Sequence, residues 1–303
     1  MTSHYLIGVM FGILGGILTQ LGQLLEKRVV NRVRVDSHEK GFMRRLVRDP
    51  LWVVGVVVGL GGGWAAYMVS QTLIGPALTP GLMAGGLVVL AIGSVRMNGE
   101  TLNASEIFGI GLMILGVLCL GLSRLGINAA QVRTTLADRL ALSRIFIYTI
   151  VLLLLSLASR GLSRRLLNRQ GMFIALANGF LGCTSDFWIN PLIALIVIIL
   201  AGHATSNQFI IFLLAVLILL LCASVITWQN QMAFKFAQAS NVVPVAQVPI
   251  QIAPVLVYFY IFALAPPSRL SVFYILAGSV LTIVSGFLLG RRAEVPVDQE
   301  RAL

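Results

Sequence analysis

The sequence predicts an all-α polytopic membrane protein of about nine transmembrane helices, built as two inverted four-helix repeats joined by a central helix. Three observations predict it. Hydrophobic residues make up 58% of the 303 and charged residues only 11%, where soluble domains carry about 25% charged residues. Apolar stretches of about 20 residues, the length needed to cross a hydrocarbon core of about 30 Å, recur along the chain. Polar landmarks also recur in the same order in both halves. This composition excludes a soluble enzyme, a disordered chain and a secreted disulfide scaffold.

The apolar stretches place helices near 4–25, 50–73, 76–97, 103–123, 144–160, 172–200, 206–232, 241–264 and 270–290. The first lacks a basic leader and a small-residue cleavage site, so it reads as a span and not a signal peptide. The segment 26–49 carries eight Lys/Arg and reads as a basic loop lying against anionic lipid. The fifth span is the shortest. Its uncharged run from Ile145 to Ser159 reaches only about 22 Å at 1.5 Å per residue, with Arg144 and Arg160 placed to snorkel. Counting this span as a crossing puts 17 of the 22 Lys/Arg on one side and 5 on the other. Positive residues concentrate in the cytoplasm, so the N-terminus is expected outside and the C-terminus inside a plasma membrane. The same loops account for the net charge of +11, and no nucleic-acid partner is expected.

The halves resemble each other in detail. Gly12-Ile-Leu-Gly15 in the first helix matches Gly179-Phe-Leu-Gly182 in the sixth. Trp64 precedes Pro80 by 16 residues, and Trp228 precedes Pro244 by 16. Residues 1–125 therefore read as the first repeat, 126–170 as a linker with the central helix, and 171–303 as the second repeat and a short tail. An odd helix between two four-helix units makes them antiparallel, an architecture that transporters use to hold substrate at the midplane.

Gln71-Thr-Leu-Ile-Gly-Pro-Ala-Leu-Thr-Pro80 followed by an apolar helix, and Gly99-Glu100-Thr-Leu102 followed by Glu106 and Gly109, resemble the drug/metabolite transporter superfamily. Ala237-Gln-Ala-Ser-Asn-Val-Val-Pro244 echoes the first of these in the second half. Nine helices with a lone central one are closest in layout to the NIPA-like magnesium transporter branch. The resemblance implies a helical membrane transporter. In one respect the chain departs from that branch. The branch tends to carry an acidic residue in the second helix ahead of its Ala-Tyr, and here Gly61, Gly62, Gly63 and Trp64 precede Ala66-Tyr67.

Of the 11 acidic residues, Asp186 alone falls at the middle of a span. A carboxylate at that depth costs about 3 kcal/mol on insertion scales, so it should face the bundle or a wet cavity. Asn178, Gly182, Asp186 and Asn190 recur every four residues and form one polar stripe. Pro191 then frees the carbonyl of Phe187. A carboxylate, amides and a loose carbonyl suit a cation or an amine. If instead the carboxylate is structural, donors from neighbouring helices should hold it. Pro244, Pro249 and Pro254, with Gln247 and Gln251 between them, predict a hinge or a discontinuous eighth helix, with a simple packing kink as the alternative. Trp64, Tyr67 and Gln71 share one face of the second helix, and Trp228 closes the seventh. Thr19, Gln20 and Gln23 sit towards the end of the first helix. Glu26, Arg96, Glu100 and Glu106 read as solvated or dipole-related residues near helix ends.

These residues predict a secondary transporter working by alternating access on a small metabolite or organic cation. The substrate-binding set is Asp186, Asn190, Asn178, Tyr67, Gln71, Trp64, Gln247, Gln251 and Trp228. Aromatic rings and amides around a single carboxylate favour an organic molecule. A magnesium transporter is the first alternative, and a non-transporting membrane scaffold the second. The chain has no Gly-Lys phosphate loop, no HExxH and no nucleophile elbow. No enzymatic activity, resident metal or cofactor is therefore expected. His4, His38 and His203 are scattered, and Cys119, Cys183 and Cys222 sit in apolar runs as packing residues. The lipid bilayer is one partner, and a second copy of the chain is a candidate for another.

Overall fold

In the computed structural model, the chain is described over residues 2–33, 42–74, 79–83, 85–123, 134–136, 138–202, 205–266 and 268–289. Its elements are α1 (Thr2–Arg32), α2 (Phe42–Arg48), α3 (Pro50–Leu73), α4 (Thr79–Met83), α5 (Gly86–Asn98), α6 (Ala104–Leu122), α7 (Arg139–Arg165), α8 (Gln170–Leu200), α9 (Ser206–Phe236), α10 (Ala239–Leu256) and α11 (Arg269–Leu289). Every regular element among the described residues is helical. Eight helices there are long and apolar enough to cross a membrane. The ninth expected span is shorter, because α4 and α5 are separate helices, the 13 residues of α5 being its longer part. Gly85 and Gly86 lie at the junction, where glycine makes helix continuation costly.

Neither the first nor the fifth span ends where the hydropathy pattern does. α1 runs on through Glu26 and Lys27 to Arg32, because Leu24, Val29 and Val30 bury an apolar stripe against Phe42 and Leu46 of α2. The expected loop 26–49 is thus largely helical, and its part at 34–41, with His38, lies outside the described residues. His203 and the tail 290–303 lie outside them as well. α7 starts at Asp138, whose carboxylate accepts the N–H groups of Leu140 and Ala141 at 3.1 and 3.3 Å. Its 27 residues give about 40 Å, well over the expected 22 Å.

The first helix of each half packs on the second and third of the same half. α1 lies against α3 and α5, and α8 lies against α9 and α10, with α7 on its other side. Contact across the halves is strongest between α6 and α11. There the backbones nearly touch: a Cβ at Gly116 would lie 3.0 Å from the Gly278 carbonyl oxygen. A Cβ at Gly22 would lie 2.5 Å from the Gly55 carbonyl oxygen, so α1 and α3 approach through glycine as well. In its most apolar stretch α8 is 53% buried and α9 only 11%. α8 is therefore central and α9 faces lipid.

Of the readings offered for the eighth span, the discontinuous helix is not what forms across the prolines. α10 remains one helix across Pro244, Pro249 and Pro254 and then widens into a π-helical turn, Val257–Ile261. The proline ring's fixed φ matches helical backbone. The ring of Pro249 also lies at Gly179, where a Cβ would come within 2.7 Å of its Cγ. A second π turn, Val57–Gly63, interrupts α3 beside α1. Backbone of this kind recurs at functional sites.

Glu26, Glu100 and Glu106 are not solvated: they are 6%, 6% and 2% exposed. Glu100 accepts the Ala239 and Ser240 N–H groups at 2.7 and 3.1 Å and the Ser240 hydroxyl at 2.8 Å, so it caps α10 from the other half of the chain. Glu106 accepts the Asn103 N–H at 2.7 Å within its own helix start and the Asn241 amide at 2.9 Å across the halves. Glu26 accepts from Gln231 of α9.

Candidate functional site

A cavity of about 300 Å³ is lined by residues of both halves. Its wall runs from Glu26 and Gln23 near one end of α1, past Asp186 midway along α8, to Gln71 at the far end of α3. Apolar side chains such as Leu87, Met113, Phe187 and Ile250 fill the space between the polar groups.

Asp186 is partly exposed although it sits mid-helix, and it lines this cavity. Among the described residues no side chain or backbone N–H donates to its carboxylate. Its backbone carbonyl accepts the Asn190 side-chain amide at 3.1 Å, one residue before the Phe187 carbonyl that Pro191 frees. One turn before Asp186, a Cβ at Gly182 would meet the Ile250 side chain at 2.7 Å. At Gly179 it would lie 2.4 Å from the Ala246 carbonyl oxygen. These glycines seat α8 on α10 and leave Asp186 on the face that opens into the cavity.

The cavity wall brings together Asn178, Asp186 and Asn190 of α8, Trp64, Tyr67 and Gln71 of α3, and Gln247 and Gln251 of α10. Gln71 donates to the Tyr67 hydroxyl at 2.7 Å, and Gln251 to Gln247 at 3.2 Å. Asn178 donates to Asn230 at 2.5 Å and to the Ile226 carbonyl at 3.2 Å. The set is prearranged by such pairs, and several polar atoms remain over. Trp228 is not brought to the cavity. It is 40% exposed, and the Arg160 guanidinium lies 5.1 Å from its ring centroid.

Several polar lining residues escaped the sequence reading as a site, among them Thr19, Gln20, Gln23, Tyr148, Asn230 and Glu26. Asn230 and Tyr148 face the cavity from α9 and α7. The Tyr148 hydroxyl is buried with no partner among the described residues. Glu26 is the one with chemical consequence. Its position between a hydrophobic run and a basic segment made it look like a helix end. A signal was available: it continues the series Thr19, Gln20, Gln23, one polar face of α1.

Among the described residues, no three His, Cys, Asp or Glu side chains gather as a metal cluster. The cavity can offer one carboxylate at mid-depth and amides that hydrogen-bond to water or to an organic group.

Helices of membrane-crossing length around a polar, carboxylate-bearing cavity define a multi-pass membrane transport protein. More particularly, the chain belongs to the NIPA magnesium transporter family: the family model described as Magnesium transporter NIPA matches residues 3–295. No significant match is found among curated proteins or solved structures. The membership agrees with the layout and motifs read from the sequence, and it makes a membrane cation transporter the coarse description of this chain.

Proposed function

We propose that the chain carries magnesium across the membrane by alternating access, with Asp186 as the charge that holds the ion. The observation that carries this reading is the Asp186 carboxylate, set midway along a central helix, on the cavity, with no protein donor among the described residues. Such a group calls for a cation, since a carboxylate at that depth without a partner is costly. Magnesium dehydrates reluctantly and is usually held by one or two carboxylates with several waters retained. One carboxylate on a wall that also carries Asn178, Asn190, Gln247 and Gln251 suits a hydrated ion, with the amides bonding to its water shell. Family membership moves the balance from the organic substrate to magnesium. The second reading, a small organic cation, keeps one specific support: the Trp64 and Tyr67 rings on the cavity wall.

Alternating access rests on the repeats. Gly12 approaches Leu82 of α4, the start of the third span, as Gly179 approaches α10, so corresponding glycines seat corresponding helices. We take residues 1–125 and 171–303 as inverted repeats that rock about the cavity. The N-terminus is proposed outside the plasma membrane. Cysteines placed at Ser37 and Asp298 should both resist an impermeant thiol reagent in intact cells and both react once the membrane is opened. Labelling of only one in intact cells removes this topology.

The functional test is uptake into vesicles containing the purified chain and a magnesium-sensitive dye, set beside a panel of organic cations. Magnesium uptake that disappears in Asp186→Asn supports the reading. Uptake of an organic cation without magnesium uptake replaces it with the second one.

A further inference from the structure

We propose that Glu26 forms a second cation station at one end of the cavity, and that a cation arriving there releases the clasp that closes that end. This inference rests on the magnesium reading of the cavity. Three carboxylates fasten the first half to the corner between α9 and α10: Glu26, Glu100 and Glu106. Only Glu26 also lines the cavity, so only Glu26 lies within reach of a transported ion.

The surroundings of Glu26 are rich in oxygen. Gln20 is 4% exposed and lines the cavity, and its Oε1 has no hydrogen-bond partner among the described residues. The same holds for Oε1 of Gln23 and Oγ1 of Thr19, one and two turns before Glu26 on the same cavity-lining face of α1. Gln231, fully buried, donates to Glu26 through its nitrogen while its own Oε1 is left without a donor. Buried acceptors lacking donors are rare and call for explanation. A hydrated cation supplies water O–H donors to the unpartnered oxygens of Thr19, Gln20 and Gln23 on α1 and positive charge to the Glu26 carboxylate.

The clasp itself joins two adjacent residues of α1 to the last turns of α9. The Glu26 carboxylate accepts from Gln231, and the Lys27 ammonium donates to the carbonyls of Phe234 and Ala237, the latter at 2.8 Å. A lysine at those terminal carbonyls also complements the helix dipole. α1 otherwise meets the second half chiefly through α9 and α10. A cation at Glu26 competes with the Gln231 amide for the carboxylate. It thereby weakens one of the two grips on α9, and only when cargo is present.

The test uses the full chain in vesicles, with Cys119, Cys183 and Cys222 replaced by alanine and a cysteine placed at Leu60, which lines the cavity from the π turn packed on α1 and is no part of the proposed station. A water-soluble thiol reagent is added from the Glu26 side, with and without magnesium chloride. Magnesium is expected to raise the labelling rate about tenfold or more, the effect of a population shift worth about 1.4 kcal/mol. In Glu26→Gln that acceleration should vanish and uptake should fall, and calorimetry should show the binding event at Glu26 lost while the one held at Asp186 remains. Gln231→Leu removes the donor and keeps the carboxylate, so it should label quickly without magnesium; it decides the matter if Glu26→Gln does not fold. Equal labelling with and without magnesium in the parent, or unchanged magnesium acceleration in Glu26→Gln, overturns the clasp while binding lost in Asp186→Asn leaves the magnesium reading standing. No magnesium binding or uptake by the parent overturns both.

Discussion

Among the described residues, four carboxylates lie inside this helical bundle, and they divide into two kinds. Glu100 and Glu106 are surrounded by donors from the start of α10 and do not line the cavity. Asp186 and Glu26 line it, the first with no donor among the described residues and the second with a single amide. Burial alone does not mark a carboxylate as functional. The saturated pair has spent its charge on holding two halves together. The unsaturated pair faces the cavity with few or no donors, as the proposed ion site requires, and the difference lies in what the neighbouring helices present.

The sharpest way to break this comparison is at Asp186. Asp186→Asn keeps the shape and removes the charge, and no protein bond to the carboxylate is lost. Magnesium uptake should fall by about a hundredfold or more, a loss of about 3 kcal/mol of ion binding, while the protein purifies as the parent does. Normal uptake in this variant would place Asp186 with the structural carboxylates.

Glu100 should behave in the opposite way. Glu100→Ala strips three bonds from the N-terminus of α10, a loss of about 3 kcal/mol for a buried charged partner. The expected outcome is a clearly lowered melting temperature in detergent, with magnesium affinity of the surviving folded protein unchanged. A stable Glu100→Ala protein with altered affinity would dissolve the distinction.

The seat of Asp186 offers an intermediate case. Gly182→Ala brings a methyl group within 2.7 Å of Ile250 Cδ1, a flexible side-chain end, at a site on the cavity wall. Strain of about 1–3 kcal/mol is expected, read as a lower melting temperature, together with weaker magnesium uptake because α8 is displaced from α10. Unchanged uptake would show that the carboxylate tolerates movement of its helix.

The smallest effect is expected at Trp228, which shares the aromatic character of Trp64 but stands outside the cavity. Trp228→Leu removes the ring under Arg160, a contact worth about 0.5–1 kcal/mol at an exposed site. Magnesium uptake should stay within twofold of the parent, whereas Trp64→Leu on the cavity wall should change it more. The reverse order would mean that the outer surface of α9 takes part in transport.

The all-α membrane class and the positions of most spans followed from the sequence by itself, because a bilayer imposes one length and one polarity on any helix that crosses it. Asp186 was legible for the same reason, since a charge at mid-span stands out against 15 uncharged residues on either side. Helix ends carry no such constraint. Glu26, Glu100 and Glu106 occupy positions that water could reach in an isolated helix. Only the α9–α10 corner, more than 130 residues away along the chain, buries them. The same limit applied to the prolines of α10, whose local rule predicts a break that packing against Gly179 overrides. It applied to Trp228 too, because the direction of a side chain on a helix of uniformly apolar character depends on which face meets a neighbour. Tertiary structure decided these cases because hydrogen-bond donors and backbone contacts from distant segments set the environment, and no local pattern encodes them.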